Sequence, residues 1–173
     1  LPDGAQREIH ANALVIATGS SWPNLPQFPI DGRQIVTSQQ ILDLTQVPAR
    51  LAILGGGVEG CEFAALYSGL GTQVTILELM PRLLPLEDEE ISSTIERELK
   101  KRGVTVVTGT TVEKAERSSE SLVLSLKDGT MITTEKLLVS VEAGLISQVV
   151  GLAQVNVARW IRAVVLFYDH LRT

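Results

Sequence analysis

The stretch Leu51–Leu70, LAILGGGVEGCEFAALYSGL, decides the fold. Leu51 to Leu54 form a short apolar strand, the three glycines that follow cannot extend it, and a run of small and apolar residues then reads as a helix to about Leu70. Gly71 stops that helix, as glycine does where the chain must turn left-handed. Gly55, Gly57 and Gly60 stand at G-x-G-x-x-G spacing. In a dinucleotide-binding turn the first glycine permits the tight bend, the second lets the backbone approach a pyrophosphate, and the third lets helix and strand pack closely. The diphosphate then meets free N–H groups at the positive end of the helix. The spacing alone is a weak signal. It gains weight from the strand before it, the helix after it and an acid at the end of the next strand. Glu78, eighteen residues past Gly60, closes the strand Gln73–Glu78 (QVTILE). A carboxylate there accepts hydrogen bonds from ribose hydroxyls and repels a 2′-phosphate, so it selects NAD over NADP.

Working outward, the alternation of strand and helix continues. Four acids, Glu87 to Glu90, precede an apolar stripe of Ile91, Ile95 and Leu99. Lys100, Lys101 and Arg102 follow it, so charge and macrodipole agree on a helix over 87–102. Val104–Val107 is a third strand. The period then changes. Thr111–Glu116, Leu122–Lys127 and Thr130–Thr134 read as a meander, with Asp128-Gly129 as a tight turn, and Leu137–Val141 as a buried closing strand. The expected class is α/β, a Rossmann-like domain whose parallel sheet carries a β-meander as one crossover. Upstream, Ile9–Thr18 reads as a strand, Pro23, Pro26 and Pro29 as an extended connector, and Thr37-Ser38 as the cap of a short helix through Leu44. Beyond Val141 only Ala163–Tyr168 reads as a strand, and Val155–Ile161 fits either helix or strand.

Composition narrows the function classes. The chain has 173 residues, 45% of them hydrophobic and 20% charged, with net charge −5. That is a globular composition. The acidic balance, without any Lys/Arg cluster, argues against a nucleic-acid or anionic-membrane binder. No apolar run is long enough to span a bilayer, and the N-terminus has no signal-peptide pattern. Cys61 is the only cysteine, so neither a disulfide framework nor a four-thiolate metal site is expected. It reads as a small buried hydrophobe, and a cytoplasmic location is the expectation. His10 and His170 are isolated and show no metal spacing. Arg82, past Pro81, reads as a solvated loop residue. Glu62 is open to two readings, an exposed helix position or a carboxylate facing the nicotinamide side of the site. Because the chain opens on Leu1 inside what reads as a hairpin, the expectation is an excerpt of a longer protein.

The runs Leu54–Ala65, Leu70–Glu78 and Pro81–Pro85 (PRLLP) resemble the pyridine-nucleotide domain of dihydrolipoamide dehydrogenases, which are FAD-dependent disulfide oxidoreductases. Ala17–Ser20 and Lys136–Val141 are similar to two further segments of that family. The resemblance implies that Gly55, Gly57 and Gly60 hold the NAD pyrophosphate, with Gly56 and Val58 also among the NAD-binding residues. It places Glu78 on the adenosine ribose, Glu62 beside the nicotinamide and Val112 on the adenine, while Thr18, Gly19 and Ser20 would touch FAD. It further implies a division into residues 1–45 (end of a FAD domain and connector), 46–145 (NAD domain) and 146–173 (divergent tail returning to the FAD domain). No catalytic residue is expected in this chain, since the family's cysteine pair and His-Glu pair would lie outside it. A full-length enzyme would oxidise dihydrolipoamide with NAD as acceptor, as a homodimer with lipoyl-bearing partners. The chain alone is expected to do no chemistry.

Two positions depart from the family pattern. Glu59 stands where an aliphatic residue is usual, and Glu142 where a glycine is. A second carboxylate ~5–6 Å from a phosphate costs about 3 kcal/mol at an effective dielectric near 20, before solvent screening. Two alternatives stand: a sister flavoprotein (mercuric reductase, transhydrogenase, NADH oxidase), whose NAD domains look alike, and a non-catalytic remnant whose cofactor site these acids have degraded.

Overall fold

The computed structural model describes residues 20–21, 25–141 and 144–145. The expected strand Ile9–Thr18, the corner residues Thr18 and Gly19, Glu142 and the strand Ala163–Tyr168 lie outside the described residues. The chain divides into two units. In one, strand β1 (Ser20–Ser21) pairs antiparallel with β10 (Gly144–Leu145). The other, Pro23–Glu142, carries the remaining elements. These are β2 (Ile35–Val36), α1 (Ser38–Leu42), β3 (Arg50–Leu54), α2 (Val58–Gly69), β4 (Gln73–Leu77) and α3 (Glu89–Lys101). β5 (Thr105–Val107), β6 (Val112–Arg117), β7 (Leu122–Leu126), β8 (Met131–Thr134) and β9 (Lys136–Val139) complete it.

Five strands form one parallel sheet in the order β2-β9-β3-β4-β5. The antiparallel meander β6-β7-β8 is the crossover from β5 to β9. Both faces of the sheet are covered, which is why its strands read as unbroken apolar runs. The side-chain alternation sorts the core into two layers. Val36, Leu51, Ile53, Val74, Ile76 and Leu138 face the helices and meet Ile41, Phe63, Tyr67 and Leu99. Ile35, Ala52, Leu77, Leu137 and Val139 face the meander and meet Val112, Leu122, Leu124 and Leu126.

Three local findings differ from the sequence reading. Ile35–Val36, not foreseen as a strand, forms an edge strand of the sheet, just ahead of the expected capped helix. The Asp31 carboxylate gathers the N–H groups of Arg33, Gln34 and Ile35 at 2.8–3.0 Å and pairs with Arg117 on β6 at 3.3 Å. Thr37 and Gln40 cap α1 reciprocally, and the helix ends at Leu42 rather than Leu44. On α3 the inward stripe is Ser92, Ile95 and Leu99, not Ile91, which is 47% exposed. The inward serine has a use: its Oγ donates to the Leu83 carbonyl at 2.5 Å, tying α3 to the loop that precedes it.

Candidate functional site

The parallel sheet reverses its order at β3. From there β4 and β5 are laid down on one side, and β9 arrives on the other. In open α/β sheets the crevice at the carboxyl ends of the strands, at such a switch point, is where ligands bind. The glycine turn sits there. Gly55 has φ +110, and a Cβ on it would lie 2.2 Å from the carbonyl oxygen of Ser140, so no side chain fits. Gly60 lies against the turn from the helix side, where a Cβ would be 2.1 Å from the Gly55 carbonyl.

Gly57 differs from both. It is the N-cap of α2, with ordinary extended backbone, and among the described residues it has no side-chain capping bond and a Cβ on it would find no atom within 4 Å. It borders open space, and the helix behind it presents first-turn N–H groups that no side chain caps. One glycine is thus required by the turn, one by helix–strand contact, and the third leaves room where an anion would sit. This cradle fits a dinucleotide diphosphate. Val58, 57% exposed, opens onto the same side as the first residue of the helix.

Glu78 lies just past β4 and is only 7% exposed. One carboxylate oxygen accepts the Gly56 N–H at 2.5 Å, the other the Met80 N–H at 2.7 Å. The acid therefore pins the glycine turn to the loop after β4. An ionised carboxylate offers about four lone-pair positions, so these two bonds leave capacity for ribose hydroxyls. The loop returns the tie. Leu84, at φ 47, donates its N–H to the Gly56 carbonyl at 2.8 Å, and Leu83 covers Gly56.

Cys61 is buried below the turn, with Sγ 3.5 Å from the Gly56 carbonyl. Its thiol is pushed up to about 11, first by burial and then by the negative charges of Glu78 and Glu62. That is an unreactive thiol. Glu62 is exposed and makes no hydrogen bond or ion pair among the described residues.

Arg82 sits differently from its expectation, Val112 is more deeply buried than its position announced, and one further residue went unforeseen. Val112, 4% exposed, packs into the layer beneath the meander. Exposed apolar surface next to Glu78 comes from Leu79 and Met80, 67% and 46% exposed. Arg82 is not a solvated side chain: its Nη2 donates to the carbonyls of Pro85 and Glu87 at 3.0 and 2.9 Å, bracing the loop ahead of α3. Ser140 was not foreseen. Its N–H continues the β3–β9 ladder to Leu54, and its Oγ donates to Glu59 at 2.9 Å. Of the FAD residues implied by the resemblance, Ser20 lies on β1, whose backbone alone is described.

A parallel sheet with a glycine turn, an uncapped helix N-terminus and an acid at the end of the second strand defines a dinucleotide-binding α/β domain. The family model for pyridine nucleotide-disulphide oxidoreductases matches residues 1–173, and the chain belongs to that family. The cofactors of this family are FAD and NAD. Among its relatives, the dihydrolipoyl dehydrogenase of Chlorobaculum tepidum is 42% identical over 109 residues, covering 63% of this chain and 23% of the relative. That of Mycobacterium bovis is 34% identical over 176 residues, covering the whole chain and 38% of the relative. The crystal structure of LpdA from Mycobacterium tuberculosis superposes with a TM-score of 0.75 at 29% identity, covering 89% of this chain and 34% of that one. The HOCl-induced flavoprotein disulfide reductase RclA from Escherichia coli gives 0.68 at 29% identity, covering 78% of this chain and 31% of that one. The chain thus spans between about a quarter and two fifths of the length of these relatives. Among the described residues, no helix is long and apolar enough to cross a membrane.

Proposed function

We propose that this chain is the NAD-binding portion of a flavin-dependent dihydrolipoyl dehydrogenase, which in a polypeptide of the relatives' length oxidises dihydrolipoamide and reduces NAD. The observation that carries the reading is the open, uncapped turn at Gly57, tied by the Gly56 N–H to the Glu78 carboxylate just past β4. In this reading the first-turn N–H groups of α2, at Val58 to Gly60, receive the diphosphate, and Glu78 receives the adenosine ribose. Leu79 and Met80 offer the adenine an apolar edge, and Val112 supports it from beneath. Glu62 faces the nicotinamide half. FAD, when bound, supplies the electron transfer between dithiol and nicotinamide, and Thr18, Gly19 and Ser20 would lie against it. The residues of this chain bind and orient; they move no proton and form no bond. The setting we infer is the cytoplasm, with a homodimer and a lipoyl-bearing protein as partners.

A second reading, a sister flavoprotein disulfide reductase, is favoured by the likeness to the Escherichia coli enzyme. Titrating the purified chain with NADH and NADPH, followed by nicotinamide fluorescence, tests the site. Saturable binding of NADH, at least tenfold tighter than NADPH, is the expected result. A chain that is folded by circular dichroism yet binds neither would sink the reading and leave the non-catalytic alternative.

A further inference from the structure

Glu59 occupies the first turn of α2, and its carboxylate is held by the Ser140 hydroxyl at 2.9 Å. Ser140 is buried, follows directly on β9 and bonds through its N–H to Leu54 at the end of β3. The pair therefore stands on the β9 side of the switch point. Glu78 stands on the opposite side, past the end of β4. A dinucleotide whose diphosphate crosses the turn and whose adenosine ribose meets Glu78 must send its other half toward β9. Glu59 is thus fixed on the nicotinamide side rather than left to swing in solvent. Glu62 follows three residues later on the same helical face and adds a second negative charge there.

The nicotinamide ring is the part of the cofactor whose charge changes with oxidation state. It is cationic in NAD+ and neutral in NADH. We propose, resting on the NAD-site reading above, that Glu59 sets the preference of this site for the oxidised cofactor. Its carboxylate attracts the ring cation, and Ser140 positions it. On the diphosphate the same charge acts equally in both oxidation states, so it lowers overall affinity without altering the ratio. Two unit charges ~7 Å apart differ by roughly threefold in affinity at the dielectric of water and by tens-fold at an effective dielectric near 20. The effect on the ratio should fall between those bounds.

The test measures dissociation constants of the full chain for NAD+, NADH and ADP-ribose by calorimetry, in wild type, E59Q, E59D and S140A. E59Q should shift the NAD+ to NADH ratio at least threefold toward NADH. ADP-ribose, which lacks the ring, should bind both proteins with a change no larger than that of NADH. E59D should keep much of the wild-type ratio, and S140A should lose part of it. If E59Q strengthens NAD+, NADH and ADP-ribose alike, the proposal is overturned: Glu59 then only repels the diphosphate, while the site reading stands. If folded wild type and E59Q bind none of the three, the proposal and the site reading fall together.

Discussion

Gly55 and Gly57 stand two residues apart, yet the structure gives their replacement by alanine opposite consequences. At Gly55 the new Cβ would need a left-handed backbone at φ +110 and would sit 2.2 Å from the Ser140 carbonyl oxygen, backbone that cannot swing aside. Strain at such a conformation costs about 1–3 kcal/mol, and forcing an atom into packed surroundings adds about 1–3 kcal/mol. A loss of roughly 3 kcal/mol or more is expected, a large share of a total that is typically about 5–15 kcal/mol. The unfolding midpoint should fall by about 10 °C or more. At Gly57 the backbone is already extended and, among the described residues, the Cβ would meet nothing within 4 Å. The stability cost of Gly57→Ala is only the poorer cap, at most about 1 kcal/mol. The space that Cβ enters is, however, the space proposed for the diphosphate, so NADH affinity should drop at least tenfold. Thermal unfolding and NADH titration of the two variants check this directly. Gly57→Ala binding NADH as well as wild type would rule out a diphosphate at this turn, whatever its melting temperature.

Three further outcomes follow from other contacts. Glu78→Gln keeps one oxygen acceptor but points an amide N–H at a backbone N–H, at Gly56 or at Met80, so urea unfolding should show a loss of about 1–3 kcal/mol. The same variant should discriminate less against NADPH. Asp31 is the acid-side element: burial works to raise its pKa, but the N–H groups of Arg33, Ile35 and Gln34, with Arg117, outweigh it and hold the carboxyl below its ordinary value of 3.8. Its stabilising contribution is therefore complete above that value and is lost as pH falls through the lower folded-state one. Asp31→Asn should flatten the fall in the urea midpoint between about pH 5 and 2, and an unchanged slope would contradict it. With its thiol raised to about 11 and buried, Cys61 should resist a disulfide-exchange reagent at about pH 8 until denaturant is added, and rapid labelling of the native chain would count against the packing described.

Much of the architecture was legible because local chemistry and tertiary structure agree here. Leu51–Leu54 and Leu137–Val139 are apolar on both faces, which only a strand covered on both sides requires, and the charges of 87–102 mark their own helix. The glycine spacing could be read for the same reason: Gly55 answers the turn and Gly60 the close approach of helix and strand, while Gly57 borders open space. What escaped the sequence was set by contacts distant along the chain. Ile35–Val36 is too short to announce itself and becomes a strand only because β9 offers an edge. Ser92 lies in the stripe of α3 because a carbonyl from the Leu83 turn awaits it, a partner no periodicity reveals. Arg82 shows how far position along the chain can mislead, and Val112 shows how much of a side chain's surroundings the meander decides. The first curls back on the carbonyls of its own loop, and the second is drawn into the core by the meander's fold. Glu59 stood out as a departure, but the Ser140 hydroxyl that holds it is eighty-one residues away and carried no signal of its own.

If the open turn at Gly57 and the acid at Glu78 form one nucleotide site, a single ligand must touch both. Titrating the 15N-labelled chain with NADH and following backbone amide resonances tests this most directly. Saturable shifts should concentrate at Gly56 to Gly60 and Glu78 to Met80, with the α3 surface around Lys100 unmoved. Saturable shifts located elsewhere, or none in a folded chain, would contradict a nucleotide site at this turn.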